Sequence, residues 1–299
     1  MNETSQDART KRRPQDEREM PFLDHLEELR KRIFKALLAI VFFAVLSGVY
    51  IDEIFEYTVR PYEDAMKTAL EAKSKTSAQE TPLKLAANDT LQSKPQTREP
   101  AVPRLVFLSP TGGFMFYLKL ALTVGLLCSL PFIFYQIWMF ISPGLLEGER
   151  RIAPLIVLFT TLCFLAGGAF CYFIVLKYGL GFLLGFQTDT LVPMISIEEY
   201  FGFVSTLILV FGLVFEMPVI AYLLTRIGIL TPEFLRQKRR YGIVAIFVIA
   251  AVVTPTVDWL TQTMLAVPLL VLYEISILVS QIALPEKMKK ALGEVATES

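Results

Sequence analysis

Four carboxylates occupy positions where acidic side chains are unusual. Glu28 and Glu149 stand among basic residues, in HLEELRKR and GLLEGERR, and Glu216 and Glu274 each interrupt a long apolar run. A carboxylate can accept a guanidinium through two parallel hydrogen bonds, which a lysine ammonium cannot match geometrically. A charged group within a membrane-spanning helix disfavours insertion by roughly 2.5–3.5 kcal/mol, so it normally faces protein or a wet cavity. These side chains are therefore candidates for binding cationic or polar partners.

Each of these residues also has a structural interpretation. Glu28 lies four residues before Arg32 in a predicted amphipathic helix, where such ion pairs are weak and solvated. Glu274 can have a partner inside the helix bundle, and both interpretations remain open for it. Glu216 stands two residues before Pro218, which cannot donate a backbone hydrogen bond. This polar notch in an apolar helix favours a functional role for Glu216.

The sequence carries no Walker A loop, dinucleotide-binding fingerprint, nucleophile elbow or cluster of metal ligands. An enzyme is therefore not predicted, and neither a cofactor nor a metal is expected. The three cysteines lie inside apolar stretches without metal-ligand spacing, and we interpret them as small buried hydrophobic side chains. No nucleic-acid partner is predicted.

The composition, 54% hydrophobic and 19% charged, is typical of an integral membrane protein. The long apolar runs predict an all-α, polytopic fold with six membrane spans. The predicted spans are 33–51, 112–140, 152–176, 201–224, 241–253 and 260–284. Pro131 is expected to kink the second span. The fifth span covers only roughly 20 Å, which is short for a hydrocarbon core of about 30 Å.

Residues 21–284 form one predicted membrane domain. A disordered arm is predicted for residues 1–20, a tail for residues 285–299, and a disordered insertion in an outer loop for residues 65–104. Within the insertion, residues 73–103 are rich in Lys, Thr, Ser, Gln and Pro. Lys and Arg are concentrated before span one, between spans two and three, between spans four and five, and after span six. The positive-inside rule then places both termini in the cytoplasm.

Five motifs carry a resemblance to a known family. FLDHLEELRKR, FLSPTGGF, SLPFIFYQIWMFISPGLLEGERR, FEMPV and TPTVD, in this order across six spans, resemble the TatC subunits of twin-arginine translocases. The similarity runs from about Phe22 to Ser280. It implies a concave, glove-like helix bundle in the bacterial cytoplasmic membrane. It also implies a receptor that binds S-R-R-x-F-L-K type signal peptides at the cytoplasmic face and assembles with single-span TatA and TatB to export folded proteins. A homo-oligomer within the receptor complex and use of the proton motive force are expected on the same ground.

The resemblance also assigns residues. It implies that Glu28 and Glu149 hold the paired arginines of the signal, and that Arg30, Gln136, Phe140, Pro143 and Arg150 lie at or beside that site. Glu216 matches the family's intramembrane glutamate, which we expect to accept a hydrogen bond from a polar side chain of a partner helix. Thr254, Asp258 and Gln262 match the polar site where partner helices dock. Pro61 matches a proline of the first outer loop, although the 65–104 insertion departs from the family's shorter loop.

Two other classes of protein were weighed. A proton- or ion-coupled secondary transporter would also place carboxylates such as Glu216 and Glu274 near the middle of the membrane. Against it, the six spans show no repeated halves. An intramembrane protease or transferase would need paired aspartates, a serine–histidine pair or a metal site within the spans, and the sequence has none.

Overall fold

The computed structural model describes residues 22–79, 105–141, 153–185, 194–254 and 259–284. These residues are helical apart from short connections and one isolated bridge between Val106 and Ser196. The helices of the described part are α1 Phe22–Ser47, α2 Ile51–Gln79, α3 Gly112–Ile141, α4 Ala153–Phe170, α5 Leu176–Gly185, α6 Ile197–Phe215, α7 Met217–Ile227, α8 Pro232–Gln237, α9 Arg239–Val253 and α10 Trp259–Ala283. A 3₁₀ turn joins α1 to α2, and a π-helical turn at Cys171–Val175 joins α4 to α5.

Five helical segments of the described residues are long and apolar enough to cross a membrane. They are His25–Glu71, Gly112–Ile141, Pro154–Leu184, Ile197–Ile227 and Thr261–Ala283. The predicted fifth span corresponds to α9, whose 15 residues measure roughly 22 Å at 1.5 Å per residue. The prediction of an all-helical membrane protein is therefore confirmed. The sixth crossing depends on a helix shorter than the hydrocarbon core of about 30 Å.

Helix α2 extends into the region that was predicted to be disordered. The prediction that residues 65–104 are disordered is wrong for residues 65–79, which continue α2, while residues 80–104 lie outside the described residues. Composition alone had suggested disorder, but Tyr62, Ala65 and Met66 are buried in the core cluster. Ala69 and Leu70 pack against the same cluster. This spacing of three and four residues is that of one apolar helix face, and the face packs against α5.

Small residues bring α1 and α3 into close contact. A Cβ atom on Gly125 would lie 2.5 Å from the backbone nitrogen of Ala44, so only glycine fits at that crossing. Ser47 donates its hydroxyl to the carbonyl oxygens of Ala44 at 2.8 Å and Ala121 at 3.1 Å. Close approach between small residues and interhelical hydrogen bonds are the usual means of joining helices in lipid. The contact holds the end of α1 against the first half of α3.

A second close contact joins α4 to α6. A Cβ atom on Gly167 would lie 2.7 Å from the carbonyl oxygen of Phe211, and one on Gly212 would lie 2.4 Å from the ring of Phe164. The two backbones therefore approach closely just before α6 ends at Phe215. This contact positions the break between α6 and α7, at Glu216, against α4.

Three of the four prolines singled out in the sequence lie within helices that the structure describes, and Pro143 lies outside the described residues. Pro131 lies inside α3, which runs unbroken from Gly112 to Ile141. Pro61 lies inside α2 with a buried side chain, so the connection after α1 is helical at the proline. Pro218 lies in the first turn of α7, where the missing backbone N–H has no helical partner to lose.

Candidate functional site

Glu28 is paired with an arginine of its own helix. The Nε atom of Arg32 donates to Oε1 of Glu28 at 2.9 Å, and Nη2 of Arg32 donates to the same oxygen. The two side chains are only 22% and 17% exposed. The i, i+4 pair expected from the spacing is therefore present, and it is more shielded from water than an ordinary surface pair.

The second carboxylate oxygen of Glu28 is differently placed. Oε2 is buried and has no hydrogen-bond partner among the described residues. Besides Arg32 on the other oxygen, His25 lies near this atom, with its Nδ1 4.0 Å from Oε2 and beyond hydrogen-bond range. The ring of His25 stacks on Phe140 of α3, with centroids 4.3 Å apart and planes 15° apart. A buried acceptor without a described donor thus lies beside an aromatic pair that spans α1 and α3.

The remaining residues of the predicted signal-peptide site divide into described and undescribed ones. Gln136 is buried on α3, one turn before Phe140 and on the same helix face, and Arg30 is exposed on α1. Glu149, Pro143 and Arg150 fall between residues 142 and 152, outside the described residues. The structure therefore brings Phe140 to Glu28 through His25 and leaves the second predicted carboxylate untested.

Sequence reasoning missed the roles of His25 and Arg32 in this cluster. His25 of α1 stacks on Phe140 of α3. No spacing within the sequence indicates that stack, because the two rings belong to different helices. Arg32 was visible as the i+4 partner of Glu28 but was treated as a solvated surface charge.

Glu216 interrupts the helical segment from Ile197 to Ile227. Its backbone N–H donates to the carbonyl of Leu213 at 3.1 Å, and its own carbonyl accepts from Ile220 at 2.9 Å, so the backbone is satisfied through the break. Its side chain is 4% exposed. The Oε1 atom is buried and has no hydrogen-bond partner among the described residues.

A cavity of about 610 Å³ lies between α4, α7 and α10. Phe215 and Pro218, on either side of Glu216 in the chain, form part of its wall. Phe159, Tyr222 and Ile275 line it from the three helices, and its lining is almost entirely apolar. The polar notch therefore borders an apolar cavity rather than a chain of polar groups.

Glu274, the other carboxylate in an apolar run, has a partner inside the chain. Its Oε2 atom accepts a hydrogen bond from Nη2 of Arg239 at 2.6 Å, and both side chains are about half exposed, at 51% and 50%. Arg239 is the first residue of α9, so the pair joins the start of α9 to α10. The transporter alternative relied on Glu216 and Glu274 as intramembrane carboxylates that bind a proton or an ion. Because Glu274 is paired with Arg239, it is not available for that role.

The predicted partner-docking residues make contacts within the chain. Thr254 is buried and donates its hydroxyl to the carbonyl of Ala250 at 3.0 Å. Gln262 donates its side-chain amide to the carbonyl of Phe247 at 3.0 Å, which joins α10 to α9. Asp258 lies outside the described residues. A docking role for this group stays a prediction.

Comparisons with known proteins point to a family. A model of the family described as Sec-independent protein translocase protein (TatC) matches residues 24–268. The Sec-independent protein translocase protein TatC of Koribacter versatilis is 37% identical over 274 residues, which cover 91% of this chain and 89% of that protein. The protein of the same name from Aquifex aeolicus is 35% identical over 270 residues, covering 90% of this chain and 98% of its own. A crystal structure of the twin-arginine translocase receptor TatC matches with a TM-score of 0.69 and 34% identity, covering 87% of this chain and 99% of its own.

Proposed function

The chain belongs to the TatC family of Sec-independent protein translocase subunits, and from this we propose that it is the signal-peptide receptor of a twin-arginine translocase. Protein translocation is the function of the family. The proposal adds that the chain binds the paired arginines of an export signal through Glu28 and Glu149, and that single-span TatA and TatB helices assemble on it.

The observation that carries the proposal is the environment of Glu28. Its buried Oε2 has no described donor and lies beside the stacked rings of His25 and Phe140. A guanidinium can donate to such an oxygen and stack its flat face on an aromatic ring at the same time. Glu149 would receive the second arginine. Arg30, Gln136, Pro143 and Arg150 would complete the site as the family resemblance implies.

Glu216 supports a second contact with a translocase partner. A buried carboxyl oxygen without a donor is an unsatisfied acceptor, and a polar side chain on an incoming helix would satisfy it. The apolar cavity beside it, lined by Phe215 and Pro218, would accept the apolar part of such a helix. Thr254, Asp258 and Gln262 would form a further docking site at the outer ends of α9 and α10.

The arrangement in the membrane forms part of the proposal. We propose six crossings, with α9 as the short fifth one, in the bacterial cytoplasmic membrane. Both termini would lie in the cytoplasm, because the basic residues are concentrated in the connections on that side. Several copies of the chain would associate within the receptor complex.

The test of the signal-peptide site compares two neighbouring glutamates. The purified chain in lipid nanodiscs is titrated with a fluorescent twin-arginine signal peptide and with its twin-lysine counterpart. Glu28→Gln should weaken binding of the arginine peptide by roughly tenfold or more, because a hydrogen bond to a charged group contributes about 1.5–3 kcal/mol. Glu27→Gln is the matched control, since Glu27 is 52% exposed and pairs with Lys31 on the same helix.

Glu149→Gln should give a comparable loss in the same titration. If Glu28→Gln and Glu149→Gln both keep the affinity for the arginine peptide and the preference for arginine over lysine, the proposed site is wrong. Equal losses for Glu28→Gln and Glu27→Gln would show a general charge effect instead of a binding site.

A further inference from the structure

Glu28 already holds a guanidinium that belongs to the chain itself. Arg32 contacts Oε1 through both Nε and Nη2, while Oε2 accepts no described hydrogen bond. The contact is the same chemistry that an arginine of a signal peptide would make, since it consists of a carboxylate and a planar fork of N–H donors. Arg32 therefore occupies half of the acceptor surface that the proposed site offers to its ligand.

The position of the Arg32–Glu28 pair allows another donor to replace Arg32. Arg32 and Glu28 lie on the same helix turn, four residues apart, so breaking their contact requires only a side-chain rotation and no movement of the helix. Both side chains keep part of their surface in water, at 17% and 22% exposure. A displaced Arg32 can therefore be hydrated, whereas a deeply buried arginine would have no alternative partner.

We infer that Arg32 is an internal competitor for the signal peptide: its guanidinium occupies Glu28 until an arginine of the ligand replaces it. This inference rests on the proposed function, because it assumes that Glu28 binds the signal. The incoming arginine takes over Oε1 as Arg32 rotates away, and its remaining N–H groups can then donate to Oε2 beside the His25–Phe140 stack. Each binding event subtracts the free energy of the Arg32–Glu28 contact from the gross interaction, which keeps the signal peptide releasable.

An internal competitor has a specific effect on the preference for arginine over lysine peptides. Every ligand that takes Glu28 must displace the same resident arginine, so the competitor lowers the affinity for arginine and lysine peptides by the same factor. The preference for arginine then comes from the planar geometry of the guanidinium and is independent of Arg32. If Arg32 merely positioned Glu28, it would raise the affinity for both peptides. If Arg32 contacted the ligand directly, it would change the preference between arginine and lysine peptides.

The experiment is the nanodisc titration with twin-arginine and twin-lysine peptides, applied to Arg32→Gln. We expect binding of both peptides to become about tenfold tighter, equivalent to about 1.4 kcal/mol, with the change in the dissociation rate and an unchanged ratio between the peptides. Lys31→Gln is the matched control, because it removes one positive charge from the neighbouring position, where Lys31 is 65% exposed and pairs with Glu27. Any gain that both variants share reports the general loss of repulsion, so the excess for Arg32→Gln measures the competition.

Two further variants keep the test decisive. Arg32→Lys preserves the charge and removes the planar set of guanidinium donors, so it should show a smaller gain in affinity than Arg32→Gln. It replaces Arg32→Gln in the experiment if that variant proves to be unfolded in a thermal melt. In a Glu28→Gln background, Arg32→Gln should gain no more than Lys31→Gln does, because there is no carboxylate left to compete for.

The possible failures are distinguishable. Wild-type protein that binds no signal peptide, or binds it independently of Glu28, contradicts the proposed function. Glu28-dependent binding with Arg32→Gln no tighter than Lys31→Gln, or weaker than wild type, contradicts the competitor and leaves the receptor function standing. A changed ratio between arginine and lysine peptides in Arg32→Gln would show that Arg32 reads the ligand.

Discussion

Glu216 and Glu274 are the same residue type in two apolar helical segments, yet their surroundings differ. Glu274 has an arginine at hydrogen-bond distance and is half exposed, whereas Glu216 is buried with one oxygen lacking a described donor. A paired carboxylate is satisfied within the chain, and a buried unpaired one destabilises the fold until a donor arrives. At the scale of single residues, the structure therefore favours Glu216 over Glu274 as the membrane-embedded binding group.

Replacing Glu216 by leucine should separate stability from function. Glu216→Leu removes the unsatisfied acceptor and adds apolar contacts beside the cavity, so we expect the free energy of unfolding to rise by about 1–3 kcal/mol while export of a signal-bearing reporter is lost. The measurements are the thermal unfolding midpoint in detergent and export in cells that lack the native subunit. Glu63→Leu, at an exposed position of α2, is the control for adding a leucine.

A lower unfolding midpoint for Glu216→Leu would contradict this interpretation. It would mean that the carboxylate of Glu216 makes a stabilising contact within the chain, for example with a residue outside the described ranges. Retained export by the variant would separately exclude a functional role for the carboxylate.

Helix α2 continues through a proline because other helices satisfy its backbone. Pro61 has no N–H to donate to the carbonyl of Tyr57, four residues earlier, and its ring crowds that carbonyl. The hydroxyl of Tyr172 donates to the carbonyl of Tyr57 at 2.6 Å, and that of Tyr200 donates to the next carbonyl, Thr58, at 2.9 Å. Two tyrosines from the segments packed against α2 therefore complete the hydrogen bonding of the proline turn, and they fix α2 against the bundle.

This arrangement predicts coupling between Tyr172 and Pro61. Tyr172→Phe should lower the free energy of unfolding by about 0.5–1.5 kcal/mol, because the carbonyl of Tyr57 loses its donor. In a Pro61→Ala background the same change should cost less, since the new backbone N–H can bond that carbonyl. Thermal unfolding in detergent of the two single variants and the double variant measures the coupling.

Tyr178→Phe is the control for the loss of a tyrosine hydroxyl, because Tyr178 is an exposed residue of α5. Additive effects of Tyr172→Phe and Pro61→Ala would show that the tyrosine stabilises α2 by packing alone. If Tyr178→Phe destabilised the protein as much as Tyr172→Phe does, the hydrogen bond from Tyr172 to the carbonyl of Tyr57 would likewise not be the cause of the stabilisation.

At the scale of the whole molecule, the number of crossings depends on α9. Five segments of the described residues are long enough to span a bilayer, and α9 is attached to α10 through the Arg239–Glu274 and Gln262–Phe247 contacts. These contacts hold the first residue and the middle of α9 against a full-length neighbour, which shields part of the short helix from lipid. A short crossing is compatible with such packing, because the bilayer thins locally or partner helices cover the exposed ends.

The orientation can be measured with single cysteines in a background whose native cysteines are replaced by alanine. We expect Ser93→Cys, in the long outer connection, to react with a membrane-impermeant maleimide in intact spheroplasts. Ser5→Cys and Thr297→Cys, near the two termini, should react only after lysis, because the positive-inside rule places both termini in the cytoplasm. Labelling of either terminus in intact spheroplasts would mean an odd number of crossings or an inverted chain.

Local sequence patterns alone were sufficient to predict much of the fold and the family of this protein. Apolar length indicated the membrane helices, the motifs from FLDHLEELRKR to TPTVD indicated the family, and the spacing of Glu28 and Arg32 indicated their ion pair. These features depend on residues that are close in the chain, so helix geometry converts their spacing directly into structure. The same method was wrong for residues 65–79, where a polar composition concealed an apolar helix face.

Only the tertiary structure decided which distant groups meet. Arg239 reaches Glu274 across 35 positions, and Tyr172 reaches Tyr57 across 115; His25 stacks on Phe140 of another helix. Such contacts depend on how two helices cross. The crossing of α1 and α3, which brings His25 to Phe140, includes the close approach at Gly125, and no spacing along the chain encodes it. For that reason the sequence could name the unusual carboxylates, but packing alone determined that Glu274 is paired and that Glu28 and Glu216 each keep one oxygen without a donor in the described part of the chain.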